Sequence, residues 1–542
     1  MSTQKTRIKY AGSYKEQLTA RGLIIGGIGA VILTMSSMFV ALKLSSLPWP
    51  IMFVALASMF ALKAFGSTNI NEINVTHTAM SAGAMVAGGL AFTLPGIWML
   101  NPNETVRPIT LILITLGGVI LGLIFTALIR KYFIVTKELP YPMGQAAAEA
   151  LIIGDAGGKK AVMLFASMAL AGIFTILRDA LYKIPATFMN SKMLQYGSFT
   201  GIWLSPMLIS VGYIIGPLAI GIWFLGAIIG DFGILFGGIW DMATASAVKS
   251  SLGIGLMVGT GLGIIIKGIL PKAKEIFGPM FRKDNLGDSI IQLRWAPIAM
   301  ILLAFLFTSI ANMGVIASII TILGVWLATA MSSQCVGQSG INPMEIFGII
   351  VLIAAKAVSS IGQTEAFFVA AIVAVACGLV GDVMNDFKAG YILKSDPKAQ
   401  WVAEAVGSII GAFVSVGVLL VIVSAYGPDV FGTEVFPAAQ ASAVAAMVGG
   451  ISHMPAFIVG VITAVVLYFI NFPVMTLGLG VYLPFYLSAT AFIGGLIRFL
   501  VDRFIPQFEK KGTGTIIASG LLGGEAIVGV ILALILAIKI LV

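Results

Sequence analysis

The stretch LPYPMGQAAAEA (139–150) sets the architecture of this chain, because it returns near the far end as FPAAQASAVA (436–445). Proline in the first helical turn, followed by small residues, predicts a short, tightly packed helix in each copy. Each copy is shorter than the roughly 20 residues that a full membrane span needs. Paired short helices in corresponding halves of a membrane protein mark a binding site. A chance likeness between two alanine-rich helices is the alternative.

The composition places the rest of the chain in a lipid bilayer. Of its 542 residues, 59% are hydrophobic and 10% are charged, whereas soluble domains carry about 25% charged residues. An all-α polytopic membrane protein is therefore expected. The net charge of +9 lies mostly in short loops, where it sets the orientation of the helices, so no nucleic-acid partner is expected. The polar, basic segment 1–21 lacks a cleavage pattern, which predicts a cytoplasmic N-terminus.

Apolar runs predict about 16 or 17 membrane crossings in two halves. In the first half they are 22–42, 49–64, 78–98, 109–129, the short 140–153, 161–182, the broken unit 206–238, and 251–269. In the second half they are 295–313, 314–332, 343–359, 365–383, 403–426, 437–451, 454–471, 473–500 and 515–541. Residues 270–294 are polar and are predicted to be a cytoplasmic linker. The two repeats are then 22–269 and 295–542, the second with one extra helix.

A second repetition supports duplication of an ancestral half. Pro206 and Pro217 are spaced as Pro473 and Pro484 are, and each pair precedes a glycine-rich apolar helix. The basic loop after 109–129 has an acidic counterpart after 403–426, so the charge bias reverses between matching positions. This reversal favours an inverted repeat, and a parallel repeat remains the alternative.

Motifs for chemical energy conversion are absent from the sequence. It contains no G-x-x-x-x-G-K-[ST] phosphate-binding loop and no H-E-x-x-H, C-x-x-C or G-x-S-x-G motif. Transport by such a protein would have to use an ion gradient. A passive channel and a membrane-embedded enzyme are the competing functions, and no enzymatic activity is expected.

Several further motifs follow one another in order across the chain. They are EINVTHTAMSAG (72–83) with FTLP (92–95), LPYPMGQAAAEAL (139–151), GQSGINP (337–343), GDVMNDFKAGY (381–391), AAQASAVAA (438–446) and VYLP (481–484). Together they resemble the oligopeptide transporter (OPT) superfamily, nearer its yellow-stripe-like and prokaryotic members. The resemblance implies about sixteen spans and proton-coupled movement of small peptides or metal–chelate (siderophore-like) complexes across the cell membrane.

Glu149 is the first candidate for a coupling group. It lies one helical turn after Gln145, on the same helix face, and Val444 replaces it in the second copy. A carboxylate in only one of two matching positions suits proton coupling, because desolvation lets it hold a proton near neutral pH. A helix-end residue that faces water is the alternative. Gln145 and Gln440 occupy matching positions, and we expect both to face the substrate.

Glu72, Asn74 and His77 precede the predicted span 78–98. They belong either to an ordinary polar loop or to a helix start that lines the cavity. His77 is one of two histidines and could titrate or contact a metal complex. A protein metal site needs several convergent ligands, and no such cluster is visible, so neither a metal site nor a resident cofactor is expected.

Asp382, Asp386 and Lys388 follow at the predicted cytoplasmic end of 365–383. Salt-bridged anchoring of a loop is the simpler interpretation, and a gate or a proton exit is the alternative.

Polar residues also surround the predicted helix break at Pro343. Gln338, Asn342 and Glu345 suit contact with a peptide backbone or with the carboxylates of a chelate. Tyr482 and Asn471 could line the second broken unit. The expected partners are a small-molecule substrate and the lipid bilayer, and a homo-oligomer is left open.

Overall fold

The computed structural model describes residues 10–44, 51–156, 158–189, 200–237, 239–272, 289–433, 436–448, 451–510 and 512–541. Apart from one small antiparallel sheet, the regular structure in these residues is helical. Nine of the described helices are long and apolar enough to cross a membrane. The predicted all-α polytopic class is thereby confirmed.

The part of the chain before residue 273 contains both short and long helices. They are α1 (Tyr14–Gln17), α2 (Ala20–Leu44), α3 (Ile51–Ala64), α4 (Ile70–Ala91), α5 (Pro95–Leu100), α6 (Pro108–Arg130), α7 (Pro142–Ala156), α8 (Gly158–Thr175), α9 (Pro206–Ile215), α10 (Pro217–Ala227) and α11 (Met242–Gly263). Turns of π-helix extend four of these helices, at Lys131–Thr136, Ile176–Ala180, Ile228–Leu235 and Ile264–Ile269. The sheet pairs β1 (Thr187–Met189) with β2 (Gly201–Trp203), with Phe188 opposite Ile202.

The part of the chain after residue 288 also combines short and long helices. Its helices are α12 (Ala296–Ser309), α13 (Val315–Ser339), α14 (Met344–Val358), α15 (Gln363–Leu393), α16 (Pro397–Tyr426), α17 (Ala439–Met447), α18 (Met454–Phe469), α19 (Val474–Tyr482), α20 (Phe485–Phe504), α21 (Pro506–Lys510) and α22 (Thr513–Leu541). Most of the predicted linker, 273–288, lies outside the described residues, so the division into domains stays a prediction.

Several helices are longer than the predicted spans at their polar ends. Helix α4 begins at Ile70 instead of 78, and α15 continues to Leu393 instead of ending at 383. Hydropathy ends a span where polar residues begin, but here the polar turns are buried between helices. The start of α4 is capped by Asn69, whose side chain accepts a hydrogen bond of 2.8 Å from Glu72 N.

Helices α4 and α15 cross in the centre of the protein and run antiparallel. At one end of the crossing, Asn71 Nδ2 donates to Leu393 O at 2.9 Å. At the other end, a Cβ on Gly89 would lie 2.6 Å from Val375 Cα, so the two backbones are in contact there. Nearly every residue of α15 is buried, which makes this helix the core of the protein.

Each of these central helices has a parallel neighbour from the other half of the chain. Helix α16 lies along α4, where Gly411 faces Gly83. Helix α6 lies along α15, where Gly122 faces Ala376. The small residues let the backbones approach closely. Each pair joins one helix from either side of residues 273–288, and duplication of an ancestral half stays a prediction.

The short helices predicted from the repeated stretch are present as α7 and α17. Just before α7, Tyr141 N donates to Gly337 O at 3.0 Å, and just before α17, Ala438 N donates to Leu42 O at 3.0 Å. Tyr141 and Ala438 both have positive φ, 46° and 41°. A backbone hydrogen bond therefore links the start of each short helix to the first long helix of the opposite half.

The two short helices lie at opposite ends of α15. Gly144 N donates to Asn385 Oδ1 at 3.0 Å, whereas Ala441 O lies beside Gly96, which itself packs on Phe367. The contact positions on α15 are 18 residues apart (385 minus 367), or roughly 27 Å at 1.5 Å per residue. Helices α7 and α17 therefore do not meet in one pocket, because a repeat identifies equivalent positions and not neighbouring ones.

Candidate functional site

Four titratable side chains from three central helices meet in the interior. They are His77 on α4, Asp382 and Asp386 on α15, and Glu404 on α16, and all four are fully buried. The i, i+4 spacing puts the two aspartates on one face of α15. Helices α4 and α16 both pack against α15 here, so they bring His77 and Glu404 to the two aspartates. We call these four residues the acidic cluster.

The contacts within the acidic cluster are close. His77 Nε2 lies 3.2 Å from Asp386 Oδ1, and one oxygen from each of the three acids lies within 4.8 Å of the others. Ser81 Oγ donates to Asp386 Oδ2 at 3.0 Å and also lies close to Asp382. The cluster is therefore a single polar site in an otherwise apolar packing of helices.

The negative charge of the acidic cluster is not balanced by basic residues. Among the described residues, no lysine or arginine forms an ion pair with Asp382, Asp386 or Glu404. The nearest charges that act on Glu404 are the two aspartates themselves. Three ionised carboxylates buried without a counter-charge would be very costly. Protons or a cation must therefore neutralise most of their charge.

The simpler interpretation of the sequence expected Asp382 and Asp386 to anchor a loop through salt bridges. In the structure they do not. Helix α15 continues past them to Leu393, and both side chains are fully buried inside it. Lys388 is on the same helix but forms no ion pair with either aspartate in the described residues. Hydropathy placed the end of the span too early, because the buried acids lower the average.

Glu72 and Asn74 lie on α4 near the acidic cluster but have other partners. Glu72 forms an ion pair of 2.7 Å with Arg21 and accepts hydrogen bonds from Thr19 and Thr68. Asn74 Nδ2 donates to Ser395 Oγ at 3.2 Å. These bonds fix the first turns of α4 against its neighbours, so His77 enters the cluster from a rigid helix.

Gln145 and Glu149 lie on α7 and are both half-buried. Glu149 lies within electrostatic reach of Glu509 and Lys160, away from the acidic cluster. Gln440 is half-buried on α17, which packs on α5 and α14. Gln145 and Gln440 therefore have equivalent positions without sharing one pocket.

Asn342 and Glu345, which flank Pro343, both interact with other residues of the protein. Asn342 is held in place, since it accepts from Ser332 Oγ at 3.0 Å and donates to Cys377 O at 2.8 Å. Glu345 is buried in the first turn of α14 and lies within electrostatic reach of Tyr482.

Gln338 and Asn471 are less involved in such contacts. Gln338 is half-buried, and its Oε1 has no hydrogen-bond partner among the described residues. Asn471 is exposed at the end of α18, where it accepts from Lys267 Nζ at 2.6 Å. The structure thus brings Glu345 and Tyr482 together and leaves Asn471 at the surface.

Glu404 and Gln400 are residues of the site that reasoning from the sequence missed. Gln400 Nε2 donates to Asp386 O at 2.7 Å and so ties α16 to α15. A signal was present, because Glu404 is a lone carboxylate in an apolar stretch, with Gln400 and Ser408 one turn to either side. In the structure Asp382, Asp386 and Glu404 form a convergent group of three buried carboxylates, which reasoning from the sequence did not identify.

Comparisons with known proteins match this chain to one family profile and to two proteins that are named as transporters. The family profile described as OPT oligopeptide transporter protein matches residues 17–270 and 279–536. A protein of Haemophilus influenzae whose name assigns it to oligopeptide transport is 28% identical, over 89% of this chain and 90% of its own length. A protein of Arabidopsis thaliana whose name assigns it to metal–nicotianamine transport is 27% identical, over 28% of this chain and 25% of its own length.

Proposed function

This chain belongs to the OPT oligopeptide transporter family, and on that premise we propose that it is a secondary active transporter driven by a proton gradient. Its cargo is a small peptide or a metal–chelate complex, the two substrate classes that appear in the names of its relatives. We place it in the cell membrane with a cytoplasmic N-terminus, as the basic first segment suggests. We propose no enzymatic role.

The observation that carries this proposal is a pair of broken membrane helices, one from each half, packed against each other. Helix α9 packs on α20, where a Cβ on Gly212 would overlap Ala491 O. Helix α10 packs on α19, where a Cβ on Gly480 would overlap Trp223 O. Broken helices in matching positions are typical of transporters that expose one site to each side in turn.

The antiparallel crossing of α4 and α15 supports an inverted relation between the halves. Helices α4 and α15 hold matching places in the two halves and run antiparallel, so an axis in the membrane plane would relate them. An axis along the membrane normal would make them parallel. We therefore favour an inverted repeat, in agreement with the reversed charge bias of the loops.

Glu149 is our candidate for proton coupling. It is half-buried on α7, a helix that ends before it could span a bilayer. Its nearest charges are the acidic Glu509 and the basic Lys160. A carboxylate at such a place can exchange a proton with one side of the membrane as the neighbouring helices move.

The test is uptake into proteoliposomes that contain the purified chain. Di- and tripeptides and nicotianamine complexes of iron, zinc and nickel would be offered, with the outside acidic relative to the lumen. We expect one class to accumulate and a protonophore to abolish the accumulation. Uptake that ignores both the pH gradient and the protonophore would contradict proton coupling.

The variant Glu149→Gln separates coupling from substrate binding. We expect it to lose net uptake at least tenfold while it keeps substrate counterflow, because counterflow needs no net proton movement. Glu138→Gln is the matched control, since Glu138 is exposed in the loop before α7 and should keep both activities. Normal proton-driven uptake by Glu149→Gln would remove Glu149 from the mechanism.

A further inference from the structure

The contact between His77 and Asp386 has the distance of a hydrogen bond but not its direction. His77 Nε2 and Asp386 Oδ1 lie 3.2 Å apart, yet neither atom has a hydrogen-bond partner among the described residues. A proton shared by the two groups would favour alignment of the N–H with the carboxylate oxygen. The two atoms are instead close to each other without being paired, as two ligands of one ion are.

The distance itself fits a shared metal ion. Two ligand atoms held about 2.1 Å from one metal lie about 3.0–3.4 Å apart when the angle between them is about 90–109°. The remaining ligands are at hand, because oxygens of Asp382, Asp386 and Glu404 lie within 4.8 Å of one another. Binding of one ion would draw these oxygens, which lie up to 4.8 Å apart, closer together and toward His77 Nε2.

Unsatisfied atoms point to the same conclusion. Among the described residues, both oxygens of Asp382, both oxygens of Glu404 and His77 Nδ1 lack hydrogen-bond partners, and all are buried. Buried polar atoms without partners are rare, and each requires an explanation such as an ion. His77 is fully buried, so bulk solvent does not reach it.

We propose that His77, Asp382, Asp386 and Glu404 bind one divalent transition-metal cation of the manganese, iron or zinc class. Carboxylates alone would suit magnesium or calcium, but an imidazole nitrogen favours transition metals. A divalent cation offsets two of the three negative charges that the helices bury. It also joins α4, α15 and α16, so it stabilises the antiparallel crossing at the centre of the fold.

The two ends of the α4–α15 crossing carry different residues. His77 lies in the motif EINVTHTAMSAG and the aspartates lie in GDVMNDFKAGY. At the other end of the same crossing, the contact is made by Gly89 and Val375, which carry no ligand atoms. Only one of the two matching ends of the α4–α15 pair is therefore built to hold a cation.

The test needs no transport assay, so its result is independent of the proposed function. The purified full chain in lipid nanodiscs would be stripped with EDTA and titrated with Mn²⁺, Fe²⁺, Zn²⁺, Mg²⁺ and Ca²⁺. Bound metal would be counted by mass spectrometry, and the melting temperature would be recorded at each step. We expect one transition-metal ion per chain, a raised melting temperature, and at least 100-fold weaker binding of Mg²⁺ and Ca²⁺.

Variants locate the site. Glu404→Gln and His77→Gln should each weaken binding at least 100-fold, whereas Glu345→Gln, which changes a buried carboxylate on α14, should bind as the wild type does. Pulsed EPR of Mn²⁺ bound to the wild type should show coupling to an imidazole nitrogen, and this readout needs no variant.

Three results would overturn the proposal. They are a wild-type chain that binds none of the transition metals, binding that Glu404→Gln or His77→Gln leaves unchanged, and an EPR spectrum without nitrogen coupling. A chain that is stabilised by acidification and by no metal would mean that protons fill the acidic cluster instead.

Discussion

The ion pair between Lys249 and Asp231 offers a direct measure of how dry the protein interior is. Lys249 Nζ lies 2.7 Å from Asp231 Oδ2, and the two residues are 8% and 1% exposed. The pair joins α11 to the π-helical turn that follows α10. Asp231→Asn keeps the shape of the side chain but leaves a buried ammonium without its counter-charge. We expect a loss of about 3–5 kcal/mol in the free energy of unfolding.

A second ion pair with nearly the same distance serves as the control. Arg498 Nε lies 2.8 Å from Asp502 Oδ2, but these side chains are 25% and 45% exposed. Because water and ions screen such a pair, Asp502→Asn should cost less than about 1 kcal/mol. The difference between the two variants then measures burial and not distance.

The assay is equilibrium unfolding in mixed micelles of dodecyl maltoside and SDS. The double variant Asp231→Leu with Lys249→Met should recover most of the stability lost in Asp231→Asn, since an apolar pair needs no desolvation of charges. Equal losses in Asp231→Asn and Asp502→Asn would refute the argument, because they would mean that water reaches the Lys249 pair.

Two further predictions concern close packing and a buried base. Gly212→Ala should lower the unfolding free energy by about 1–3 kcal/mol, because the new methyl group would overlap Ala491 O. Gly221→Ala, with no atom within 4 Å of the new Cβ, should be neutral or stabilising in the same assay. Equal effects of the two variants would refute the close contact between Gly212 and Ala491. Burial, with the nearby Lys267, lowers the pKa of Lys137 to about 8, so its rate of acetylation, followed by mass spectrometry, should level off above pH 8, whereas an ordinary lysine titrates near about 10.4. Because the folded chain then holds fewer protons than the unfolded chain above pH 8, its stability should rise with pH between about 8 and 10 relative to Lys137→Met; parallel curves would contradict the lowered pKa.

Much of the architecture was predictable from local patterns. Hydropathy placed the chain in a bilayer, and proline followed by small residues predicted the short helices α7 and α17, both of which the structure contains. The proline pairs predicted the broken units that became α9 with α10 and α19 with α20. These features depend on a few neighbouring residues, so one sequence is enough to recognise them.

The functional centre was less predictable. His77, Asp382 and Asp386 were identified as candidates, but not as neighbours, and Glu404 was not identified at all. Hydropathy ended the spans at the polar residues of α4 and α15, which hid the fact that these residues are buried.

The sequence alone determined that this is a helical membrane protein with short, interrupted helices, because lipid forces the backbone to satisfy its own hydrogen bonds within apolar segments. Only the tertiary structure decided that α7 and α17 lie at opposite ends of α15, and that His77 faces Asp386 across more than 300 positions of the chain. The antiparallel crossing of α4 and α15 sets these distances. Which residues meet at such a crossing depends on helix direction and rotation, and neither is written in any local stretch of sequence.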